Sequence, residues 1–65
     1  METIAETKMF GYKVIIEGYG DEGSTTGYLV AKNGQTISLD YGNQLYTLSN
    51  EQRSAILDWA FSNGF

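Results

Sequence analysis

The dipeptide Asn33-Gly34, set between two runs rich in β-forming residues, most restricts what this chain can fold into. Asn-Gly is the preferred centre of a two-residue type I′ turn, because both residues tolerate positive φ. Such a turn predicts two antiparallel strands in which Val30 lies opposite Ile37. This register leaves Leu29 as an apolar exception on the outer face. The inner face would carry Tyr28, Val30, Ile37, Leu39 and Tyr41.

A second segment with period-two patterning precedes this hairpin, between Met9 and Tyr19. Its even-numbered positions are apolar or aromatic, which predicts a strand that turns them towards a core. Those positions are Phe10, Tyr12, Val14 and Ile16. Residues 1–8 are polar and aperiodic and are predicted to form a flexible tail. The glycine-rich residues 18–25 are predicted to form a loop.

The C-terminal third carries the signature of a single helix. Ser49 and Gln52 have the spacing of a capping box, in which each side chain bonds the backbone N–H of the other residue. The helix is expected from about Asn50 to Ser62, ended by Asn63 and a following glycine. The sequence thus predicts an α+β fold for one domain at residues 9–65: an antiparallel three-stranded meander packed against a C-terminal helix. Residues 45–48 are either a fourth strand or an extended connection.

The predicted helix has more apolar surface than docking on a sheet requires. At 100° per residue its apolar positions span about 240°, whereas a docked helix needs a stripe of little more than about 100°. Ile56, Trp59 and Ala60 can supply that stripe, which leaves Leu57 and Phe61 on the flank. Either the sheet, the tail and the C-terminal residue cover this flank, or it is a surface for a partner or a second copy.

Charge restricts the partners that this chain can bind. The chain has 8 acidic and 4 basic residues among 65, a net charge of -4. Nucleic-acid affinity comes largely from Lys and Arg, and the basic residues are scattered along the chain, so direct nucleic-acid binding is not expected. They are Lys8, Lys13, Lys32 and Arg53. A basic or nucleic-acid-binding protein is the expected partner.

Membrane insertion and secretion are not expected either. No stretch approaches the roughly 20 apolar residues of a membrane span. The N-terminus has acids where a secretory signal carries basic residues. We therefore expect the protein in the cytoplasm.

Catalysis is not expected from the residue types present. The chain has no Cys and no His, which removes disulfides, the usual zinc sites and the commonest catalytic bases. Asp21 and Glu22 are adjacent acids, but two carboxylates are too few for a cation site. Tyr12, Tyr28 and Tyr41 could stack nucleic-acid bases if they shared an open sheet face; burial under the helix is the favoured interpretation. No enzyme activity and no cofactor is predicted.

In size, acidity, aromatic content and lack of Cys and His, the chain resembles small phage and mobile-element proteins that inhibit host enzymes, including anti-CRISPR proteins. The resemblance implies a protein of the host-cell cytoplasm that occludes a nucleic-acid-binding or protein-binding surface of a larger complex. The alternative is an accessory module that forms a homodimer through its helix. From the residues themselves, the hypothesised contact residues are Asp21, Glu22, Glu51, Arg53, Leu57, Asp58 and Phe61.

Overall fold

The computed structural model describes residues 2–18, 24–39, 45 and 47–65. Its strands form one antiparallel sheet in the order in which they occur along the chain. The elements are β1 (Glu2–Met9), β2 (Tyr12–Gly18), β3 (Thr25–Val30), β4 (Thr36–Ser38) and the helix α1 (Asn50–Ser62). The α+β prediction, an antiparallel meander with one C-terminal helix, is confirmed. No helix in the described part of the chain is long and apolar enough to cross a membrane.

The core lies between one face of the sheet and the helix, and β2 supplies its centre. Val14 and Ile16 are completely buried, so the predicted inward direction of the even positions is confirmed for both. Leu29 of β3 is also fully buried and lies directly opposite Val14. The helix contributes Ile56 and Ala60 to the same cluster. The whole buried cluster comprises Val14, Ile16, Leu29, Leu39, Leu45, Leu48, Ile56 and Ala60.

The flexible tail predicted for residues 1–8 is wrong, because β1 occupies Glu2–Met9 and pairs along β2. The two strands are joined by a tight turn at Phe10 and Gly11, whose φ angles are 54° and 83°. Positive φ at both central residues is the requirement of a type I′ turn, which ordinarily selects Asn or Gly rather than a bulky aromatic residue. The polar composition of β1 suits an edge strand, which is exposed along one side.

The hairpin between β3 and β4 is present, but its predicted register is wrong by one residue. Leu29, not Val30, lies opposite Ile37. Gly34 has a φ of 87° and donates its N–H to the Ala31 carbonyl at 2.9 Å. Ala31 in turn donates to the carbonyl of Gln35 at 2.9 Å, which makes a three-residue loop of a type I turn followed by a left-handed glycine.

The Asn33 side chain explains why the longer loop forms. Its Oδ1 accepts the N–H of Gln35 at 3.0 Å, the amide that a two-residue turn would pair with Lys32. A slip of one residue turns each side chain to the opposite face of the sheet. Leu29 therefore joins the core, whereas Tyr28 and Val30 lie on the open face.

The segment 45–48 is not a fourth strand of the sheet in its described residues. Leu48 donates its N–H to the carbonyl of Leu45 at 3.0 Å, a local turn that buries both leucines. These two side chains close the core beside the helix. The strand that makes the sheet four-stranded is instead β1, at the N-terminus.

The helix begins and ends where the sequence predicts. The Ser49 hydroxyl accepts the N–H of Gln52 at 3.1 Å, and the Gln52 side chain accepts the N–H of Ser49 at 3.4 Å, which completes the capping box. At the other end Gly64 has a φ of 99°. Phe65 donates its N–H back to the Ala60 carbonyl at 3.0 Å, the long-range bond of a Schellman motif.

We predict that Ser49→Ala lowers the free energy of unfolding by about 1 kcal/mol, because it leaves the N–H of Gln52 without its cap. In a domain of this size that loss corresponds to a melting temperature lower by roughly 4–8 °C, measured by circular dichroism. Ser62→Ala, at the exposed end of the same helix, is the control and should leave the melting temperature within about 3 °C. Equal melting temperatures for the two variants would contradict the capping role of Ser49.

Candidate functional site

The outward flank of α1 is the candidate contact surface, and the structure leaves part of it uncovered. Ile56 and Ala60 are fully buried against the sheet, and Trp59 packs partly buried against the same core. Leu57 is also half-buried against the core. Phe61, one helical turn further, keeps 64% of its surface exposed. The predicted apolar surplus therefore remains as one large aromatic side chain with Leu57 at its base.

The ring of Phe61 is supported from behind by the C-terminal residue. The Schellman bond brings Phe65 back over β3, where a Cβ placed on Gly27 would lie 3.0 Å from the ring of Phe65. The rings of Phe61 and Phe65 are 5.7 Å apart between centroids and inclined at 42°. This tilted geometry is a favourable aromatic pair. One side of Phe61 is thus packed while the other faces solvent.

One charged residue, Asp58, borders this aromatic side chain, and two others lie further along the same flank towards the start of the helix. Glu51 and Asp58 are exposed, and Asp58 precedes Phe61 by three residues, the spacing of neighbours on a helix surface. Arg53 is half-buried, and its guanidinium donates to the side-chain oxygen of Asn50. At 100° per residue the five helix residues in the hypothesised contact set lie on one continuous side of α1. They are Glu51, Arg53, Leu57, Asp58 and Phe61.

The acidic residues do not converge into one patch in the described part of the chain. Glu6 and Glu17 lie on the sheet face opposite the helix, because they share the outer rows with Ile15 and Tyr28. Glu51 and Asp58 project from the outer side of α1, on the other side of the domain. Asp21 and Glu22, the remaining hypothesised contact residues, lie outside the described residues.

The prediction that three tyrosines share one sheet face under the helix is wrong for the two that can be compared. Tyr12 is on the inner face with Val14 and packs against the core, whereas Tyr28 pairs with Ile15 on the open face. The third, Tyr41, lies outside the described residues. The slip in the β3–β4 register is the reason that sequence reasoning placed Tyr28 on the wrong side.

Tyr28 forms a small polar cluster with acids on the open face. Partial burial raises the pKa of the Tyr28 phenol above its ordinary value, and the neighbouring Glu17 raises it further by its charge and by accepting the phenol hydrogen bond. The charge of Glu6 acts in the same direction. At neutral pH the phenol is a protonated hydrogen-bond donor rather than an activated base. Among the described residues, no three side chains of the metal-binding types come together.

A grouping of cations is the feature that sequence reasoning missed. Lys8, Lys13 and Lys32, scattered along the chain, line one groove at the end of the sheet. The signal that could have revealed it is the meander itself, since the first and third turns of a meander lie at the same end of the sheet.

Comparison with known proteins gives no family model, no curated protein and no solved structure that matches this chain.

We predict that Glu17→Gln lowers the pKa of Tyr28 towards the ordinary tyrosine value without reaching it, because burial still acts on the phenol. The measurement is the ultraviolet absorbance of phenolate during alkaline titration, with Tyr28 isolated as the difference from a Tyr28→Phe variant. Because the folded state favours the neutral phenol, Tyr28 contributes to the free energy of unfolding at pH values below its unfolded pKa of about 10. This contribution is lost as the pH rises through the higher pKa of the folded state.

Asp58→Asn removes one carboxylate on the other side of the domain and is the matched control for this titration. It should leave the titration of Tyr28 where it is in the unmodified chain. An equal shift in both variants would show that net charge, rather than the Glu17 contact, sets the pKa.

Proposed function

We propose that this protein is a non-catalytic binding protein that contacts a basic protein surface through the flank of α1. The observation that carries this proposal is the exposed ring of Phe61, packed on Phe65 behind it and bordered by Asp58. Aromatic anchors held in place before binding lose little conformational entropy and commonly dominate interface energetics. The carboxylate of Asp58 beside the ring and that of Glu51 near the start of the helix favour a partner of positive charge and speed its association.

The same flank is less suited to self-association. A two-fold dimer places the same patch of both copies in contact, so the acids of one copy meet the acids of the other. Glu51 and Asp58 on this flank outnumber Arg53, whose guanidinium is already held by Asn50. A basic foreign partner neutralises this surface, whereas a second copy doubles its charge. The homodimer is therefore the second candidate, supported by the exposed apolar ring alone.

The partner class that we propose is a nucleic-acid-binding or nuclease complex, which this protein inhibits by occluding its basic surface. Basic grooves that bind a phosphate backbone are the protein surfaces with the strongest positive potential. The support is the negative charge of the chain, -4, together with the compositional resemblance to small inhibitors from phages and mobile elements. An inhibitor of this kind works by steric exclusion and needs no catalytic group.

We predict that Phe61→Ala weakens partner binding by roughly 30-fold or more, the loss of about 2 kcal/mol typical of an interface anchor. Immobilised protein is incubated with lysate of the source cell, and retained proteins are quantified by mass spectrometry and then titrated individually. Asp58→Asn should weaken the same interaction less, and raising the salt concentration should weaken it further.

Ile4→Ala is the matched control, because Ile4 is an exposed apolar side chain, 48% accessible, that belongs to a bulge in β1 over Gly18 rather than to α1. It should retain the partner. Equal loss in both variants, or a retained partner of acidic rather than basic character, would contradict the proposal. Sedimentation at micromolar concentration tests the second candidate: a tight dimer that Phe61→Ala dissociates would replace the foreign partner with a second copy.

A further inference from the structure

The sheet end that carries the β1–β2 turn and the β3–β4 loop forms an open groove. The groove encloses about 330 Å³ and is continuous in its lining with a second hollow of about 260 Å³ beside Phe10. Both hollows share Gly11, Tyr12, Ala31 and Lys32. The helix flank described above is not part of either lining, so this groove is a separate surface.

Positive charge is concentrated at this groove. Three of the four basic residues of the chain line it, and none of the described residues in its lining carries a carboxylate. Lys8 lies directly opposite Lys13 in the β1–β2 ladder, where facing Cα atoms are about 4.5–5.5 Å apart. Like charges opposite each other destabilise a sheet, and neither ammonium group has an ion pair within the described residues. The nearest carboxylate along β1 is that of Glu6, two residues or about 7 Å away along the strand.

An aromatic side chain stands at the same groove in an unfavourable backbone conformation. Phe10 has a φ of 54° and is 51% exposed. A bulky residue with positive φ is rare, and the turn that holds it prefers Asn or Gly. Tyr12, which follows in β2, also lines both hollows, although its side chain packs against the core. Two local costs to stability, the opposed lysines and the strained phenylalanine, therefore coincide at one exposed groove.

We infer that this groove binds single-stranded nucleic acid, with the three lysines on phosphates and the exposed ring of Phe10 stacked on a base. A positively charged groove lined by aromatic rings is the general solution for binding an unpaired strand without sequence preference. The alternative ligand, a peptide of acidic residues, offers no flat ring to stack on Phe10. Carboxylates are also best recognised by the forked donor of arginine, and the groove contains only lysine.

The net charge of -4 does not prevent this binding, because the charges are separated along the molecule. The protein extends 33 Å along its longest axis, whereas charges are screened over about 8 Å at physiological salt. Apart from Glu6, the described acids lie further along the sheet from this end or on α1. A strand at the groove therefore interacts mainly with the lysines.

The experiment is fluorescence anisotropy of a labelled oligothymidylate of about ten nucleotides, titrated with the whole protein at about 50–200 mM salt. The expected dissociation constant is between about 10⁻⁶ and 10⁻⁴ M. With three phosphates neutralised, the logarithm of affinity should fall against the logarithm of salt concentration with a slope of about -2. Lys13→Gln should reduce that slope to about -1.4.

Phe10→Asn separates stacking from folding, because asparagine tolerates the left-handed turn better than phenylalanine. It should raise the melting temperature while weakening oligonucleotide binding about tenfold. Ser54→Glu, on the exposed side of α1, changes the net charge by the same amount as Lys13→Gln and should leave both affinity and slope unchanged. The same oligonucleotide in a duplex should bind more weakly, because its paired bases cannot stack on the ring of Phe10.

Three results would overturn the inference. They are no saturable binding at the lower salt concentration, an equal effect of Ser54→Glu and Lys13→Gln, and full competition by poly-glutamate at equal charge concentration, which would assign the groove to acidic peptides. None of these results bears on the helix flank, whose partner is tested separately with Phe61→Ala.

Discussion

The alternation of side chains along β2 is the constraint on which the rest of the structure depends. Val14 and Ile16 are completely buried, so their face of the sheet must meet the helix, whereas the opposite face carries half-buried Tyr28 and Glu17 beside Ile15, which is only 9% exposed. Each neighbouring strand then has only one acceptable register, because a slip of one residue exposes its apolar set. In β3 this selects Leu29 for the core and places Tyr28 beside Glu17 on the open face.

The helix could be predicted to the residue because its signals are local. A capping box and a terminal glycine act through hydrogen bonds between residues a few positions apart, and Ser49, Gln52 and Gly64 carry them in the sequence itself. The surplus apolar arc was likewise evident from spacing alone, and the exposed ring of Phe61 is its structural form. How far Phe65 would cover that ring depended on tertiary packing over Gly27, which spacing does not encode.

The two hairpins show why the sheet was harder to predict. The type I′ turn expected at Asn33-Gly34 occurs instead at Phe10-Gly11, whereas Asn33 uses its side chain to hold a longer loop. Turn propensity gives the conformational preference of the local backbone. The turn that is adopted is decided by the strand register, which buries Leu29 opposite Val14. β1 was not predicted for the same reason. An edge strand of polar residues forms because it pairs with its neighbour, and its own sequence pattern does not indicate a strand.

The order of strands in a meander also brings together charged residues that are distant in sequence, which composition cannot reveal. Lys8, Lys13 and Lys32 are far apart in sequence, but odd-numbered turns meet at one end of the sheet, and so these cations gather there. The acids Glu51 and Asp58 belong to the helix instead. Phe65, which follows the helix, packs over Gly27 of β3, whereas the basic groove is lined by Val30, three residues further along the same strand. Because charges are screened over about 8 Å at physiological salt, the two groups can be considered as separate surfaces: one with Phe61 and acidic residues on α1, the other a basic groove beside Phe10. A complex of protein and nucleic acid offers complementary charge to both surfaces, which a partner of uniform charge does not.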